Sequence, residues 1–137
     1  MISTLVDLPE LHNLAAAWLL TVSPGAIIYL EGPLGVGKTT FVQAVLASGG
    51  YHGLVKSPTY TLVESYDCPL RRFFHFDLYR LKDPSELEYI GIRDYLDKEA
   101  ICLIEWPEKG VGFLPKADWL VTLAYQGEQR LLTIQRG

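Results

Sequence analysis

Eight consecutive residues carry the most specific chemical pattern in this 137-residue chain. Gly32–Thr39, with the sequence GPLGVGKT, matches Gly-x-x-x-x-Gly-Lys-Ser/Thr in full. Glycines let a backbone fold tightly around phosphate oxygens and point its N–H groups at them. The lysine of such a loop reaches the β- and γ-phosphates of a nucleoside triphosphate, and the hydroxyl after it ligates Mg²⁺.

The motif therefore predicts a loop that binds a nucleoside triphosphate, most simply Mg-ATP. An ordinary glycine-rich turn with an exposed lysine is the alternative interpretation. The predicted nucleotide-binding residues of the loop and the helix after it are Gly32, Leu34, Gly35, Val36, Gly37, Lys38, Thr39 and Thr40.

Two acidic residues end two apolar runs, as expected at the carboxyl ends of parallel strands. Asp77 ends RFFHFD, and Glu105 ends AICLIE. Ligands of open α/β sheets bind beyond these strand ends, where carboxylates are tolerated mainly as partners of Mg²⁺ or its waters. Asp77 is the candidate Walker B acid. Because Leu78 follows it, the adjacent catalytic glutamate of many ATPases is missing, and Glu105 is the candidate to replace it.

We therefore predict catalytic and metal-binding roles for Asp77 and Glu105, with Thr39 as a further metal ligand. The sequence leaves open whether Glu105 binds the metal or orients the attacking water. Carboxylates that only cap a turn remain the alternative for both acids.

A threonine-containing segment, KSPTYT at 56–61, precedes the strand that ends at Asp77. In nucleotide switches a loop at this place supplies a hydroxyl to Mg²⁺ or to the γ-phosphate. Thr59 and Thr61 are the candidates for this contact. A rigid Ser-Pro turn that leads into an exposed strand is the alternative.

Three further side chains belong to the same region. Trp106 follows Glu105, and it either stacks near the nucleotide or fills the core. His75 shares a strand face with Asp77 and is interpreted as a hydrogen-bonded structural histidine rather than a base. Arg80 is interpreted as a solvated arginine, with a charge-stabilising role as the alternative.

The surrounding patterns predict the elements that position these residues. AIIYLE at 26–31 is typical of a buried strand, and 39–47 of a helix that Ser48-Gly49-Gly50 ends. Asp7 and Glu10 have capping-box spacing, which predicts a first helix that ends near residues 23–25. TYTLVESY at 59–66 predicts a half-exposed strand, and residues 83–86 predict another helix start. DWLVTLAY and QRLLTIQ predict a hairpin around Gly127.

The alternation of strands and helices predicts a single α/β domain over residues 1–137. The expected fold is the three-layer sandwich of P-loop NTPases, with a mainly parallel central sheet and an antiparallel hairpin at the C-terminus.

Composition limits the function classes. Hydrophobic residues make up 49% of the chain, which is enough for a core. The net charge of -4 argues against salt-driven binding to DNA or RNA, although an RNA-linked role through a partner protein stays open. Cys68 and Cys102 lack CxxC spacing and predict two thiols in a reducing compartment, with a disulfide between them as the alternative. With no signal sequence or spanning segment, a soluble, cytoplasmic protein without membrane contact is expected.

Five segments in order resemble the bacterial TsaE (YjeE) family: LEGPLGVGKTTF, KSPTYTLVESY, FHFDLYRL, ELEYIGIRDYL and ICLIEWPE. The resemblance covers residues 26–110. Pro33 departs from it, because the family commonly has aspartate there, but it lies on the outer part of the loop.

The resemblance implies ATP and Mg²⁺ binding, weak hydrolysis, and work with TsaD- and TsaB-like proteins in threonylcarbamoyladenosine modification of ANN-decoding tRNAs. It implies that tRNA is reached through the complex. It also places Lys38 on phosphate, Thr39 and Glu105 at Mg²⁺, Asp77 at the nucleotide site and Trp106 beside it. Other possibilities are a small P-loop kinase, a GTPase and a nucleotide-gated binding module.

Overall fold

The computed structural model describes residues 1–56, 58, 60–69, 71–96 and 99–137. Strands and helices alternate through this part of the chain, as the sequence predicts. The strands are β1 (Ile2–Val6), β2 (Ile27–Glu31), β3 (Val63–Asp67), β4 (Arg72–Asp77), β5 (Ile101–Glu105), β6 (Trp119–Gln126) and β7 (Gln129–Arg136). The helices are α1 (Leu8–Leu19), α2 (Lys38–Ser48), α3 (Glu86–Tyr89) and α4 (Ile92–Leu96), and a 3-10 turn covers Pro107–Gly110.

All the described strands join one sheet in the order β1-β7-β6-β2-β5-β4-β3. The four central strands, β6, β2, β5 and β4, run parallel. The hairpin partner β7 and the edge strand β3 run antiparallel to their neighbours, and β1 pairs antiparallel with β7. Parallel strands bring their carboxyl ends to one edge, so the ends of β2, β5 and β4 meet where the phosphate loop leaves the sheet.

Helices cover both faces of the sheet and form three layers. The buried side chains of α1 and α2 pack with Phe73, Ile101 and Leu103 on one face. Those of α3 and α4 pack with Phe74 and Phe76 on the other face. The predicted three-layer α/β fold is confirmed. Side chains alternate along a strand, so His75 lies on the same face as Phe73, and Glu105 on the same face as Leu103. Both therefore face α2.

The first helix begins as predicted and ends earlier. Asp7 is its N-cap, and its side chain accepts from the Glu10 N–H at 2.9 Å in a complete capping box. The helix ends at Leu19, before the predicted 23–25, because the Thr21 hydroxyl donates to the Trp18 carbonyl at 2.7 Å. This side-chain bond satisfies one of the carbonyls that the end of a helix leaves unpaired.

Three other boundaries differ from the sequence predictions. The sequence did not predict β1, which depends on long-range pairing with β7. β3 begins at Val63 rather than at 59, because Leu62 has φ of 66° and its N–H donates to the Pro58 carbonyl in a turn. The helix expected from 83 begins at Glu86, since Asp83 instead accepts from the Ser85 N–H in a preceding turn.

Both cysteines are free thiols, with Cys102 buried and Cys68 half-buried. Among the described residues, no helix is both long and apolar enough to pass through a bilayer.

Candidate functional site

The phosphate loop connects β2 to α2, and its glycines meet two different demands. Gly32 has φ of 152°, and a Cβ there would lie 2.5 Å from the Leu123 carbonyl oxygen, so only glycine fits against β6. Gly37 has φ of 120° and faces open space, since a Cβ there would meet no atom within 4 Å. Packing against β6 therefore requires glycine at position 32, whereas glycine at position 37 leaves the backbone accessible from the crevice.

Helix α2 presents its N-terminus to this crevice. Lys38 is its first residue, and the N-cap, Gly37, has no side chain that could accept from the N–H groups of the first turn. The first N–H groups of a helix lack intrahelical acceptors and carry partial positive charge. This end of α2 is therefore suited to an anion such as a phosphate group.

Two side chains of the hairpin hold the outer part of the loop. The Tyr125 hydroxyl donates to the Leu34 carbonyl at 3.0 Å, and Arg130 Nε donates to the Val36 carbonyl at 3.0 Å. These bonds tie two carbonyls of the loop to the hairpin. Sequence reasoning missed Tyr125 and Arg130, because only the parallel pairing of β6 with β2 brings the hairpin beside the loop.

Lys38 is only 5% exposed, and its ammonium group lies inside the site. It donates to the Gly32 carbonyl, and to the Pro33 carbonyl at 3.3 Å. It also lies 3.8 Å from the centre of the Trp106 ring. Burial lowers the pKa of Lys38, and the negative charges of Glu105, Glu108 and Asp77 partly oppose that effect.

Asp77 and Glu105 lie at the ends of β4 and β5, as the sequence predicts, and the register of these neighbouring strands pairs them directly. Both are buried. Asp77 Oδ1 accepts from the Tyr79 backbone N–H at 3.1 Å. Burial raises the pKa of Asp77, the Tyr79 N–H lowers it, and the charge of Glu105 raises it further. Two desolvated carboxylates at one strand edge favour a bound cation.

Glu105 links the loop helix to the sheet. Its Oε2 accepts from the Thr39 hydroxyl at 3.1 Å. The same Oε2 lies 2.6 Å from His75 Nε2. The predicted metal-binding residues Thr39, Glu105 and Asp77 thus lie together, and His75 is a hydrogen-bonded buried histidine, as interpreted from sequence.

Trp106 has a left-handed backbone, with φ of 58°, which is uncommon for a residue other than glycine. This turn directs the chain after β5 toward the crevice. The ring packs on Tyr79 at a centroid distance of 4.9 Å and lies beneath the Lys38 ammonium. The ring lines the crevice and also packs against the apolar cluster of the α3–α4 face, so a contact between Trp106 and the nucleotide stays a prediction.

These residues enclose an open crevice of about 440 Å³. Its lining residues are Leu34, Gly35, Gly37, Lys38, Thr39, Thr40, Asp77, Tyr79, Arg80, Glu105 and Trp106. A second hollow of about 500 Å³ adjoins the other side of the loop and shares Gly35, Gly37 and Thr40 with the crevice. Val36 lines that hollow, whereas Gly32 lines neither the crevice nor the hollow and packs against Leu123 of β6.

The threonine segment is placed only in part. Thr59 lies outside the described residues. Thr61 is exposed, does not line the crevice, and donates its hydroxyl to Glu64 Oε1 at 3.1 Å. Arg80 lines the crevice and lies 5.0 Å from the Tyr60 ring. A nucleotide contact by Thr59 or Thr61 therefore stays a prediction.

The donor set fits Mg²⁺ better than a metal held by protein ligands alone. Across the described positions, no group of three or more histidine, cysteine, aspartate and glutamate side chains is arranged to hold a metal. Mg²⁺ in nucleotide sites is usually held by one or two carboxylates together with phosphate oxygens and water. The hydroxyl of Thr39 and the carboxylates of Glu105 and Asp77 match this chemistry.

Proteins of known family resemble this chain over most of its length. A family model described as "Threonylcarbamoyl adenosine biosynthesis protein TsaE" matches residues 5–132. The relatives below are each named tRNA threonylcarbamoyladenosine biosynthesis protein TsaE. The Haemophilus influenzae protein is 56% identical over 104 residues, which cover 76% of this chain and 66% of the relative. The Bacillus subtilis protein is 39% identical over 101 residues, which cover 74% and 63%.

The chain thus spans slightly less than two-thirds of these two relatives. The Borreliella burgdorferi protein is 33% identical over 118 residues, which cover 85% of each chain. The fold is similar to that in the crystal structure of Bacillus subtilis YdiB, with a TM-score of 0.83 at 24% identity over 98% of this chain and 84% of that one. On the family match and these identities, the chain belongs to the TsaE family.

Proposed function

We propose that this chain binds Mg-ATP in the crevice and hydrolyses it weakly, and that it supports TsaD- and TsaB-like proteins in threonylcarbamoyladenosine modification of tRNA. The observation that carries the proposal is the convergence of Lys38, Thr39, Asp77 and Glu105 beside the N-terminus of α2. Each of these side chains is suited to one part of a metal–triphosphate complex.

The loop and α2 bind the phosphates. The first backbone N–H groups of α2 and its dipole attract phosphate oxygens. Lys38 exchanges its contacts with the Gly32 and Pro33 carbonyls for phosphate oxygens, which are stronger acceptors because they are charged. The bonds from Tyr125 and Arg130 hold the loop in shape before the ligand arrives, so less entropy is lost on binding.

The nucleoside occupies the hollow that adjoins the loop. That hollow shares Thr40 with the crevice and continues past Leu8 and Leu11 of α1 and Leu123 of β6. Apolar walls with a few polar groups are typical of sites for planar heterocycles. Glu128 and Arg130 supply the polar groups at its rim.

Thr39, Glu105 and Asp77 would hold Mg²⁺, either directly or through its waters. The ion, when bound, neutralises charge on the phosphate oxygens. The chain itself keeps the two carboxylates desolvated and adjacent, which makes a cation at this edge favourable.

Weak hydrolysis follows from how the acids are held. The residue after Asp77 is Leu78, which is fully buried and has no acid–base chemistry. Glu105 shares one carboxylate oxygen between Thr39 and His75, which leaves little freedom to orient a water molecule. Arg80 lies over Tyr60 at the crevice wall. A partner protein that moves Arg80 or adds a positive group would stabilise the transition state.

The biological role is proposed from the relatives, whose name places them in tRNA threonylcarbamoyladenosine biosynthesis. The net charge of -4 fits contact with tRNA through partner proteins better than direct binding. We place the protein in the cytoplasm, with the tRNA modification it serves.

The test is ATP binding and turnover with and without Mg²⁺ and the TsaD–TsaB pair. Calorimetry should show ATP binding that Mg²⁺ strengthens, and phosphate release should rise when the partners are added. GTP in equal amount should compete poorly. Absence of ATP binding by the folded chain would overturn the nucleotide proposal. Binding without partner-stimulated turnover would overturn the supporting role and favour a nucleotide-gated module.

A further inference from the structure

His75 is a fully buried polar side chain on β4, which lies between β5 and the edge strand β3. It lies between Phe73 and Asp77 on the β4 face that packs against α2. An imidazole at this depth costs free energy unless its nitrogens are satisfied. An aliphatic residue would fill a strand position of this kind at lower cost, so the histidine calls for a chemical explanation.

The only contact that satisfies it among the described residues is with Glu105. The register pairs His75 with Leu103 and Asp77 with Glu105, so Glu105 is the diagonal neighbour on the same face. Nε2 lies 2.6 Å from Glu105 Oε2, whereas Nδ1 is buried without a hydrogen-bond partner in the described part of the chain.

This asymmetry selects one form of the ring. A proton on Nδ1 would be a buried donor without an acceptor, and it would also leave a bare Nε2 facing a carboxylate oxygen. A proton on Nε2 donates to Glu105, and the bare Nδ1 remains only an unused acceptor. The contacts of His75 therefore favour a proton on Nε2, where Glu105 accepts it, over a proton on Nδ1 alone.

We propose that His75 is a positioning residue: its Nε2–H fixes one carboxylate oxygen of Glu105, so that the carboxylate meets the nucleotide-bound Mg²⁺ in a single orientation. The inference rests on the proposed function, which assigns Glu105 to Mg²⁺. Thr39 contacts the same Oε2 from α2, so His75 holds Glu105 from the sheet side while Thr39 faces the ligand. Partners that orient a metal ligand in this way typically change metal affinity by about 10–100-fold.

Substitutions of His75 separate positioning from packing. His75→Phe keeps a ring and loses the donor. His75→Gln keeps an N–H donor at a similar distance from Cα. Phe73→Leu is the control, because Phe73 is equally buried on the same strand face and has no contact with the carboxylate. Circular dichroism and thermal unfolding of each variant are the check that it is folded.

Calorimetry measures the titration of Mg²⁺ into protein loaded with a non-hydrolysable ATP analogue. The affinity for the analogue itself is measured separately in EDTA. We expect His75→Phe to weaken Mg²⁺ binding by about 10–100-fold and analogue binding in EDTA by no more than a few-fold. His75→Gln should recover most of the loss, and Phe73→Leu should match wild type. Unchanged Mg²⁺ affinity in folded His75→Phe overturns the inference, as does a loss in His75→Gln as large as in His75→Phe.

Two further readouts keep the inference separate from the proposed function. If the wild-type analogue complex does not bind Mg²⁺, the proposed function fails as well. If wild type and His75→Phe bind Mg²⁺ with equal affinity, only the inference fails. Nitrogen-15 spectra of histidine-labelled wild-type protein report the tautomer without any ligand, and signals of His12 and His52 are assigned by substitution. A proton on Nε2 supports the inference, and an Nε2 without a proton overturns it even if His75→Phe does not fold.

Discussion

The Thr39 hydroxyl lies 3.1 Å from Glu105 Oε2 and joins the first turn of α2 to the end of β5. A neutral donor and a buried carboxylate satisfy each other in this contact, and such charge-assisted bonds are stronger than neutral ones. Both groups are also suited to the same cation. In the proposed complex the Thr39 oxygen could offer a lone pair to Mg²⁺ while its proton is still donated to Glu105, so the ion and this hydrogen bond are compatible.

Glu105→Gln should reduce partner-stimulated ATP hydrolysis at least tenfold while ATP binding measured in EDTA changes by only a few-fold. The amide keeps the shape and an acceptor for Thr39 and His75, but it loses the charge that would attract Mg²⁺. Phosphate release with the TsaD–TsaB pair and calorimetry with ATP measure the two effects. Glu108→Gln is the matched control, since Glu108 is an exposed acid near Lys38 and carries the same charge. Turnover near the wild-type value would make Glu105 a structural acid.

Lys38→Ala should weaken ATP binding by about 1.5–3 kcal/mol, or roughly ten- to a hundredfold, because it removes at least one charge-assisted contact to phosphate. Calorimetry of the folded variant measures the change. Lys116→Ala removes an exposed lysine that does not line the crevice and should bind ATP as wild type does. Equal affinities of the two variants would contradict a phosphate role for Lys38.

Local patterns were sufficient for the parts of the site that depend on neighbours in sequence. The loop motif predicted a glycine-rich loop between a strand and a helix, and the apolar runs that end in Asp77 and Glu105 predicted two acids at the carboxyl ends of parallel strands. This worked because strand, loop and helix are each encoded within about ten residues, and parallel strands end at one edge.

Contacts between distant segments were not predicted, because no local pattern encodes them. Tyr125 and Arg130 reach the loop only because β6 pairs with β2. The bond from His75 to Glu105 depends on the register of β4 against β5. β1 is a strand because β7 pairs with it, whereas its residues alone give a weak signal.

Asp77→Asn should stabilise the fold at neutral pH in the absence of nucleotide and metal. Burial raises the pKa of Asp77, so the folded chain holds the charged carboxylate less well than the unfolded chain does. The resulting loss of folding stability is absent below the ordinary pKa of 3.8. It is complete once the pH exceeds the raised pKa of Asp77 in the folded chain. The amide avoids it and still accepts from the Tyr79 N–H.

Denaturant unfolding in EDTA at several pH values tests this expectation. The free energy of unfolding should rise by about 0.5–2 kcal/mol at pH 7, the usual range for one stabilising substitution, and the gain should disappear in acid. Asp94→Asn is the control, because Asp94 is exposed on α4. A loss of stability at pH 7 would mean that the charged form of Asp77 makes a net favourable contact in the fold.

The two thiols should differ in reactivity. Burial raises the pKa of Cys102 from 9.0 to about 12, which lowers its thiolate fraction roughly a thousandfold at neutral pH. Cys68 is half-buried, and its pKa is raised by burial and by the charge of Asp67. Iodoacetamide should therefore label Cys68 first and leave Cys102 unmodified until the chain unfolds. Peptide mass spectrometry measures this, with guanidinium-unfolded protein as the control, and early labelling of Cys102 would contradict its burial.

Trp106 should report nucleotide binding through its fluorescence. Its ring lies 3.8 Å from the Lys38 ammonium, so transfer of that charge to phosphate changes the field at the indole. Trp18 and Trp119 pack on each other at a centroid distance of 5.6 Å, and neither lines the crevice. A chain with both replaced by phenylalanine isolates the Trp106 signal.

Titration of that chain with ATP and Mg²⁺ should give a saturable change in emission, and its midpoint should match the dissociation constant from calorimetry. Trp106→Phe in the otherwise wild-type chain is the reciprocal control and should remove the change. No change despite calorimetric binding would separate Trp106 from the nucleotide. A change that persists in Trp106→Phe would instead assign the signal to Trp18 or Trp119. Nucleotide binding would then alter the environment of the α1–α2 core, where Trp18 packs on Phe41.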